Sequence, residues 1–302
     1  MAKTILMTGA SGLIGQHLAA YFLEQGYFIY ALTRQINKIS THPKLNWVNE
    51  FIEIPEVPLQ YVINLAGESI GQKRWSAERK QQLIESRVET TRALYVFLKQ
   101  RKLKPEKIIS GSAIGYYGID PEEHWTALCS ETSPAQAVFV SELCQRWENE
   151  ALSDTEQNTV IIRLGVVLAK NAPVLKQMLF PIKLNLFGKL GHGAQPFVWI
   201  HIQDVLAAID FILQLDHPER IYNVVAPSHD TQATFVHVAS QILGKTPFFN
   251  FPSSILNMIL GEQAQLVLNG QYVVPKALLA QNFEFKFNTL NAALTNLLIE
   301  SV

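Results

Sequence analysis

Three glycines near the start of the chain have the spacing of an anion-binding turn. Gly9, Gly12 and Gly15 lie in the run TGASGLIG, which follows the apolar residues 5–7 of a buried-strand pattern and leads into the helical apolar pattern of residues 13–24. We expect Gly9 to permit the turn, Gly12 to let the backbone approach a pyrophosphate, and Gly15 to let the helix lie close to the strand. Free amides at the start of that helix would bind the phosphates. The alternative is a turn with a structural role only.

The end of the second predicted strand indicates which dinucleotide is bound. In NAD sites an acidic residue about 20 residues beyond the glycine turn binds the ribose 2′-hydroxyl. No Asp or Glu lies between Gln25 and Asn49, and the strand ends at Thr33 and Arg34. A guanidinium can bind two phosphate oxygens at once, so Arg34, with Lys38 as a second cation, favours NADP over NAD. An ordinary exposed arginine on a loop is the alternative.

Hydroxyl side chains cluster after a short strand predicted at residues 107–110. The run SGSAIGYYG occupies residues 110–118, at the carboxyl end of a central parallel strand, where ligands bind in open α/β sheets. We predict that Ser112 holds a substrate oxygen. Tyr117, a phenol near the same strand end, is a candidate proton carrier.

Five further side chains are candidates for contact with a polar substrate. Glu68 and Arg74 follow the fourth predicted strand, although a buried ion pair there would give the same sequence. His201 titrates near neutrality, which suits proton transfer, but a histidine that only links two elements by hydrogen bonds fits equally well. Trp75 and Trp199 complete the set, and ordinary packing explains Trp75 equally well.

Composition limits the class of protein. A chain of 302 residues can bury a large core and should form one domain or one and a half. The 25 basic and 26 acidic residues nearly cancel, so we expect neither nucleic acid nor a membrane as a partner. Cys129 and Cys144 have no metal-ligand spacing and suggest a reducing compartment, so no metal site is expected. The first strand starts too early for a signal peptide, and no apolar run approaches the roughly 20 residues of a membrane span. We expect a cytoplasmic monomer or homodimer.

The elements that must position these residues alternate between strands and helices. This order predicts an α/β fold: a Rossmann-type, doubly wound parallel sheet with a smaller, mainly helical C-terminal lobe. We predict a nucleotide-binding domain at residues 1–168, completed by 199–226, and a lobe at 169–198 and 227–302. Residues 172–195, rich in Pro, Gly and Lys, are predicted to form a loop-rich cover.

Several runs in one order resemble a known family. The chain resembles the extended short-chain dehydrogenase/reductases, and more narrowly their atypical sugar-nucleotide-epimerase-like branch, which has its own small C-terminal domain. The runs are TGASGLIG at 8–15, NLAGE at 64–68, RW at 74–75, SRVETT at 86–91, SGSAIGYYG at 110–118, RLGVVL at 163–168, WIHIQD at 199–204, GEQA at 261–264, VVPKALL at 273–279 and NFEF at 282–285.

The resemblance implies a set of cofactor contacts. Residues 8–15 match the family's pyrophosphate loop, Thr33 and Arg34 its adenosine-phosphate contact, and Leu65 and Ala66 the segment that passes the adenine and ribose. An arginine that holds NADPH matches Arg87, and a position beside the nicotinamide matches Val167. The predicted NADP(H)-binding residues are therefore Gly9, Ser11, Gly12, Leu13, Ile14, Gly15, Thr33, Arg34, Leu65, Ala66, Gly67, Arg87 and Val167.

The catalytic pair of the wider superfamily is missing. There a Tyr-x-x-x-Lys pair about 25 residues past the active-site serine transfers the proton, and the lysine lowers the tyrosine pKa. Ser112 matches the serine, but residues 137–144 read AVFVSELC. Two such strings occur elsewhere, at Tyr95–Lys99 and Tyr272–Lys276, and we interpret both as coincidence.

Two functions remain open at this point. The first is an NADP(H)-dependent oxidoreductase or epimerase that acts on a small polar substrate, such as a nucleotide sugar. The second is a non-catalytic NADP(H)-binding protein that senses redox state or regulates a partner. The missing Tyr/Lys pair favours the second.

Overall fold

The computed structural model of the chain describes residues 3–35, 40 and 42–299. Lys38, the predicted second cation, lies outside these residues. The strands are β1 Thr4–Thr8, β2 Phe28–Leu32, β3 Leu45–Val48, β4 Tyr61–Asn64, β5 Lys107–Ala113, β6 Leu128–Cys129, β7 Thr159–Leu164, β8 Val166–Leu168, β9 Phe187–Leu190, β10 Trp199–His201, β11 Ile221–Val224, β12 Phe249–Phe251 and β13 Tyr272–Val273.

Helices connect most of these strands. They are α1 Leu13–Glu24, α2 Ala77–Gln100, α3 Phe139–Ala151, α4 Pro173–Lys183, α5 Ile202–Gln214, α6 Gln232–Leu243, α7 Ser253–Leu260, α8 Gln265–Leu268, α9 Lys276–Ala280 and α10 Leu290–Leu298. Short 3₁₀ turns lie at Phe51–Glu53, Ile114–Tyr117 and Gly261–Ala264.

Seven strands form one parallel sheet. Their order is β11-β7-β5-β4-β1-β2-β3, and every neighbouring pair is parallel. The order reverses between β1 and β4, which is where doubly wound sheets open a ligand crevice at their carboxyl edge. In register, Thr8 lies beside both Leu32 and Asn64, and Asn64 lies beside Ser110. The ends that carry the predicted site therefore meet at one edge.

The predicted fold class is confirmed, because helices flank this parallel sheet and a mainly helical region follows it. α1 packs with α5, and α2 packs with α3. Helix α1 has the bounds predicted from the apolar pattern, and Ser76 caps α2 by accepting a hydrogen bond from the Arg79 amide at 3.1 Å. No helix of the described ranges is long and apolar enough to cross a membrane.

One local prediction was wrong. Residues 172–195 contain α4 and β9, because Pro173 lies in the first turn of a helix, where its missing N–H costs nothing. Strand β10 pairs with β8 and not with the seven-stranded sheet. The proposed domain division stays a prediction, and we call residues 169–198 and 227–299 the second lobe.

Candidate functional site

A buried chain of hydrogen bonds ties together the carboxyl ends of the central strands. The Thr8 hydroxyl donates to Asn64 Oδ1 at 2.6 Å and accepts a bond from the Ala66 amide at 3.2 Å. Asn64 Nδ2 donates to the hydroxyls of Thr91 at 2.9 Å and Ser110 at 3.2 Å. Because each of these side-chain groups has a partner, the segments that follow the strands start from fixed positions.

The β1–α1 turn leaves no room for side chains against the end of β4. Gly9 has a φ of +71°, and a Cβ there would lie 2.6 Å from the carbonyl carbon of Leu65. A Cβ on Gly15 would lie 2.3 Å from the Gly9 carbonyl oxygen. No side chain caps the start of α1 at Gly12, and its first turn carries no acidic residue. The turn therefore fits a pyrophosphate bound by amides at a helix N-terminus.

The predicted adenosine-phosphate contact is open to solvent. The Arg34 side chain is 85% exposed, and its nearest carboxylate oxygen is Oε1 of Glu68 at 3.5 Å. The other oxygen of Glu68 binds buried Arg79, and this hydrogen bond is the main reason why the pKa of Glu68 is lowered. Buried Thr33 accepts the Gln35 amide at 3.2 Å. Glu68, predicted to bind substrate, therefore lies next to Arg34, the predicted contact for the adenosine phosphate.

Arg87 lies against the loop that follows β4. Its guanidinium donates to the carbonyl oxygens of Leu83 and Glu68, both at 2.9 Å, and its central carbon lies 5.2 Å from the centre of the Trp147 ring. A Cβ on Gly67 would lie 3.0 Å from that carbon. Burial lowers the pKa of Arg87. The guanidinium is therefore positioned before any ligand binds.

Ser112 belongs to a buried ionic network. Its hydroxyl donates to Oε1 of Glu148 at 2.6 Å. Arg163 binds both oxygens of the same carboxylate, at 2.9 and 2.8 Å, and the two charged side chains are only 2% and 5% exposed. Because the carboxylate takes the single hydroxyl hydrogen of Ser112, the serine can offer a ligand only its oxygen lone pairs.

Tyr117 is part of the same network. Its hydroxyl donates to Oδ1 of Asn223 at 2.6 Å and accepts a bond from Arg163 at 2.9 Å. The side chain is buried, and burial raises the pKa of Tyr117 to about 12. Asn223 Nδ2 in turn donates to the Val274 carbonyl at 3.0 Å. Tyr117 therefore links the sheet to the second lobe.

The structure puts no Tyr/Lys pair at the start of α3. Ala137 stands 25 residues past Ser112, and Ser141 stands four residues further on, where the lysine would be. The Ser141 hydroxyl donates to the Tyr116 carbonyl and accepts the Gln136 amide. Tyr95, of the Tyr-x-x-x-Lys string at residues 95–99, forms a hydrogen bond with the Thr159 hydroxyl, at the amino end of β7 and thus at the opposite end of the sheet.

A cleft of about 590 Å³ opens beside Ala137. Its lining combines amides, charged groups and an aromatic ring from three regions of the chain. These residues are Lys80, Gln136, Ala137, Val138, Phe139, Glu142, Gln145, Glu262 and Gln265. An ion pair between Lys80 and Glu262 joins α2 to the second lobe, with the Lys80 Nζ 4.9 Å from the centre of the Phe139 ring.

Two predicted substrate residues lie near this cleft. Trp75 packs edge-on against Phe139, with ring centres 4.9 Å apart, and its indole N–H donates to the Ile70 carbonyl at 3.1 Å. Arg74 is exposed and lies against Gly261, which precedes Glu262 of the cleft. Both therefore lie where α2 approaches the second lobe.

The other two lie in the core. Trp199 is 1% exposed and donates its indole N–H to Asp230 at 2.8 Å. His201 is equally buried, caps α5 by accepting the Gln203 amide at 3.1 Å, and lies 3.8 Å from the Phe287 ring centre. Neither lines the cleft. In this structure Trp199 packs in the core, and His201 caps the start of α5.

Glu148 and Arg163 were missed at the sequence level, although both left a signal. The buried stripe of α3 includes positions 140, 144, 147, 148 and 151, so Glu148 falls on the apolar face of its helix. Arg163 interrupts the apolar strand TVIIRL. A charge at each of two buried positions indicates an ion pair. The cleft lining has no comparable signal, because its residues come together only through tertiary contacts.

Two family models match the chain. One describes the NAD dependent epimerase/dehydratase family and matches residues 5–225. The chain belongs to this family. A domain of unknown function, DUF1731, matches residues 251–297. The resemblance inferred from the motifs is thereby confirmed, including the separate C-terminal region.

Named relatives agree with this assignment. Epimerase family proteins of Staphylococcus epidermidis and Staphylococcus saprophyticus are each 35% identical, over 303 and 302 residues, and each alignment covers 98% of this chain and 99% of the relative. The crystal structure of human epimerase family protein SDR39U1 (isoform 2) with NADPH is 30% identical, has a TM-score of 0.87, and covers 99% of this chain and 100% of that chain. UDP-glucuronic acid 4-epimerase of Bacillus cereus, in complex with UDP-glucuronic acid and NAD, shares the fold at 18% identity and a TM-score of 0.72, with 96% of each chain covered.

Proposed function

We propose that the protein is an NADP(H)-dependent oxidoreductase or epimerase that acts on a small polar substrate. The observation that carries this proposal is the turn at Gly9, closed against Leu65 and followed by an uncapped helix start. The 30% identical human relative crystallised with NADPH supports the same cofactor. When bound, the nicotinamide would donate or accept a hydride. The chain would orient it and exclude water.

Arg34 would select the phosphorylated cofactor. Arg34→Ala should weaken NADPH binding by about 1.5 to 3 kcal/mol, because a charge-assisted contact to the 2′-phosphate is lost, and should change NADH binding little. Titration calorimetry on cofactor-free protein measures both affinities. Arg220→Ala, at another exposed arginine, is the matched control. Equal losses for NADPH and NADH would show that Arg34 does not contact the phosphate.

The carboxylate of Glu68 should weaken the binding of NADPH at Arg34. Its carboxylate lies 3.5 Å from Arg34 and would repel a 2′-phosphate bound there. Glu68→Gln keeps a hydrogen-bond acceptor for Arg79 and should tighten NADPH binding roughly two- to five-fold, the range of a partly exposed charge pair. The gain should shrink as salt is added. In the Arg34→Ala background the gain should persist if the carboxylate repels the phosphate directly, and vanish if it acts only by holding Arg34.

The cleft beside Ala137 is our proposed substrate site. Its lining contains one lysine, already paired, and two carboxylates. Such a lining suits a neutral, hydrogen-bonding molecule better than the diphosphate of a nucleotide sugar. Ser112 does not line this cleft, so a role for it requires that the substrate also reach the carboxyl end of β5, where the Ser112 oxygen would accept a hydrogen bond from a substrate hydroxyl. We assign Tyr117 a positioning role, because its phenol is buried and paired on both sides.

A substrate screen tests the enzymatic proposal. NADPH-loaded protein would be tested for cofactor oxidation with nucleotide sugars, neutral sugars and small carbonyl compounds, and NADP⁺-loaded protein for reduction with the corresponding alcohols. Ser112→Ala should abolish turnover and leave the cofactor bound. Turnover that survives this substitution would remove Ser112 from the reaction.

The second candidate is a non-catalytic redox sensor, favoured by Ala137 and Ser141 at the Tyr and Lys positions. It predicts no turnover with any of these compounds. It also predicts a thermal stability that differs between the NADP⁺ and NADPH complexes, because a ligand stabilises the state that it binds. Turnover in the screen would decide for the enzyme.

A further inference from the structure

Several large apolar side chains of the second lobe are exposed. Between 47% and 77% of each side chain is open to solvent. Large exposed patches of this kind mark interaction sites more often than single exposed residues do. The set, which we call the apolar face, consists of Phe180, Leu184, Leu186, Phe248, Phe249, Met258 and Ile259.

Backbone contacts hold the parts of the apolar face together. The Phe249 amide donates to the Leu186 carbonyl at 3.3 Å, and the Thr246 amide donates to Asn185 Oδ1 at 2.9 Å. β12 pairs with β9, and α7 begins two residues after Phe251. None of the eight residues of α7 is buried, although its sequence SSILNMIL is mostly apolar. The end of α4 and β12 thus lie next to each other, and α7, with its apolar residues exposed, follows β12 in the chain.

The two chain segments that contain the apolar face carry charged side chains of one sign, and two acidic neighbours of these segments are paired. Residues 169–198 and 240–261 contain no Asp, Glu or Arg, and the lysines in these segments are exposed or half-buried. These lysines are Lys170, Lys176, Lys183, Lys189 and Lys245.

The same asymmetry holds for the whole second lobe. In the sequence, the second lobe together with the three residues that follow it (169–198 and 227–302) carries seven lysines and four carboxylates, and the rest of the chain carries the other 18 of 25 basic and 22 of 26 acidic residues. Glu262, at the end of α7, is paired with Lys80, and Glu123 is paired with His192. A nearly neutral chain therefore presents a basic, apolar face.

We propose that the apolar face binds the surface of an anionic lipid bilayer. Aromatic and aliphatic side chains flanked by lysines are the combination that enters the headgroup region while the cations meet anionic lipids. A second copy is a poorer occupant, because a two-fold interface would bring the lysines of the two copies together.

This proposal revises the expectation that the protein has no membrane partner. That expectation rested on the total charge, which averages a basic lobe with an acidic remainder. Interfacial binding requires no spanning helix, since only protruding side chains enter the headgroup region.

Vesicle co-sedimentation of the full chain tests the proposal. The protein should sediment with phosphatidylcholine vesicles that contain phosphatidylglycerol, and much less with phosphatidylcholine alone. Added salt should weaken the binding. Phe248→Ser and Phe249→Ser should each weaken it by about tenfold, the effect of withdrawing one large apolar side chain. Lys183→Glu combined with Lys189→Glu should abolish the preference for the anionic lipid.

Ile52→Ser is the matched control, because Ile52 is also highly exposed but lies beside β3, outside the second lobe. It should leave sedimentation unchanged. NADPH binding by every variant checks that the chain is folded. No sedimentation with anionic vesicles, or sedimentation that ignores both Phe substitutions, would overturn the proposal. A dimer in light scattering that Phe248→Ser dissociates, without vesicle binding, would assign the face to a second copy.

Discussion

Replacement of Arg163 by methionine should lower the free energy of unfolding by about 3 to 5 kcal/mol, because it leaves the buried carboxylate of Glu148 without its counter-charge. Arg163 and Glu148 are 2% and 5% exposed, and two hydrogen bonds join them. The guanidinium also donates to Tyr117 and lies 3.4 Å from the centre of the Tyr116 ring. Urea unfolding at neutral pH measures the loss.

A double variant separates the cost of leaving one buried charge unpaired from the contribution of the ion pair itself. Removing both charges, with Arg163→Met and Glu148→Met, should restore much of the loss, because no uncompensated charge remains. Arg92 and Glu150 form the matched control at the surface, where the guanidinium also binds both carboxylate oxygens, at 3.1 and 2.8 Å. Arg92→Met should cost less than about 1 kcal/mol. A comparably small cost for Arg163→Met would mean that the buried pair contributes little to stability.

This network also bears on the proposed chemistry. Arg163 and Glu148 do not touch the cleft, but Glu148 fixes the hydrogen of Ser112. Glu148→Gln would place an amide that can donate to the same hydroxyl, and Ser112 could then point its hydrogen elsewhere. Glu148 is therefore a positioning residue, whose loss should alter substrate preference more than cofactor affinity.

Most of the features that the sequence predicted correctly are encoded by residues close together in the chain. The strand, glycine turn and helix of residues 4–24 are contiguous, so spacing alone defines them, and the same holds for the cap at Ser76. The approach of Glu68 to Arg34 depends on how far two loops from β2 and β4 extend over the sheet edge. No sequence spacing encodes that distance. The stretch from β2 to Asn49 contains no acidic residue. It therefore gives no sign that the carboxylate of Glu68, which follows β4, lies beside Arg34.

Residues 199 and 201 show a second limit. Residues 199–226 were predicted to complete the nucleotide-binding domain, and Trp199 and His201 were candidates for contact with a substrate. In the structure, β10 pairs with β8 in a separate two-stranded unit, and both side chains are buried. A short strand with large side chains has the same pattern whether it ends at a crevice or inside the core. Only the pairing of β10 decides between the two.

The burial of His201 makes the stability of the protein depend on pH. Burial lowers the pKa of His201 to about 4, below the 6.5 of a free histidine. The folded protein therefore binds fewer protons than the unfolded chain between these pH values. The contribution of His201 should be complete above pH 6.5 and should fall by about 3 kcal/mol as the pH is lowered to 4.

His201→Asn isolates this contribution. Asparagine cannot titrate and can still cap α5 by accepting the Gln203 amide, so the variant should lose packing against Phe287 but keep the helix start. Asp204, whose own pKa burial raises, lies in the first turn of α5 and opposes the trend in both proteins. The difference between the two unfolding free energies, measured by urea from pH 7.5 to 4, should therefore report His201. The same substitution at exposed His217 is the matched control. If the difference in unfolding free energy stays constant across this pH range, His201 is protonated as readily in the folded protein as in the unfolded chain. Its burial would then not lower its pKa.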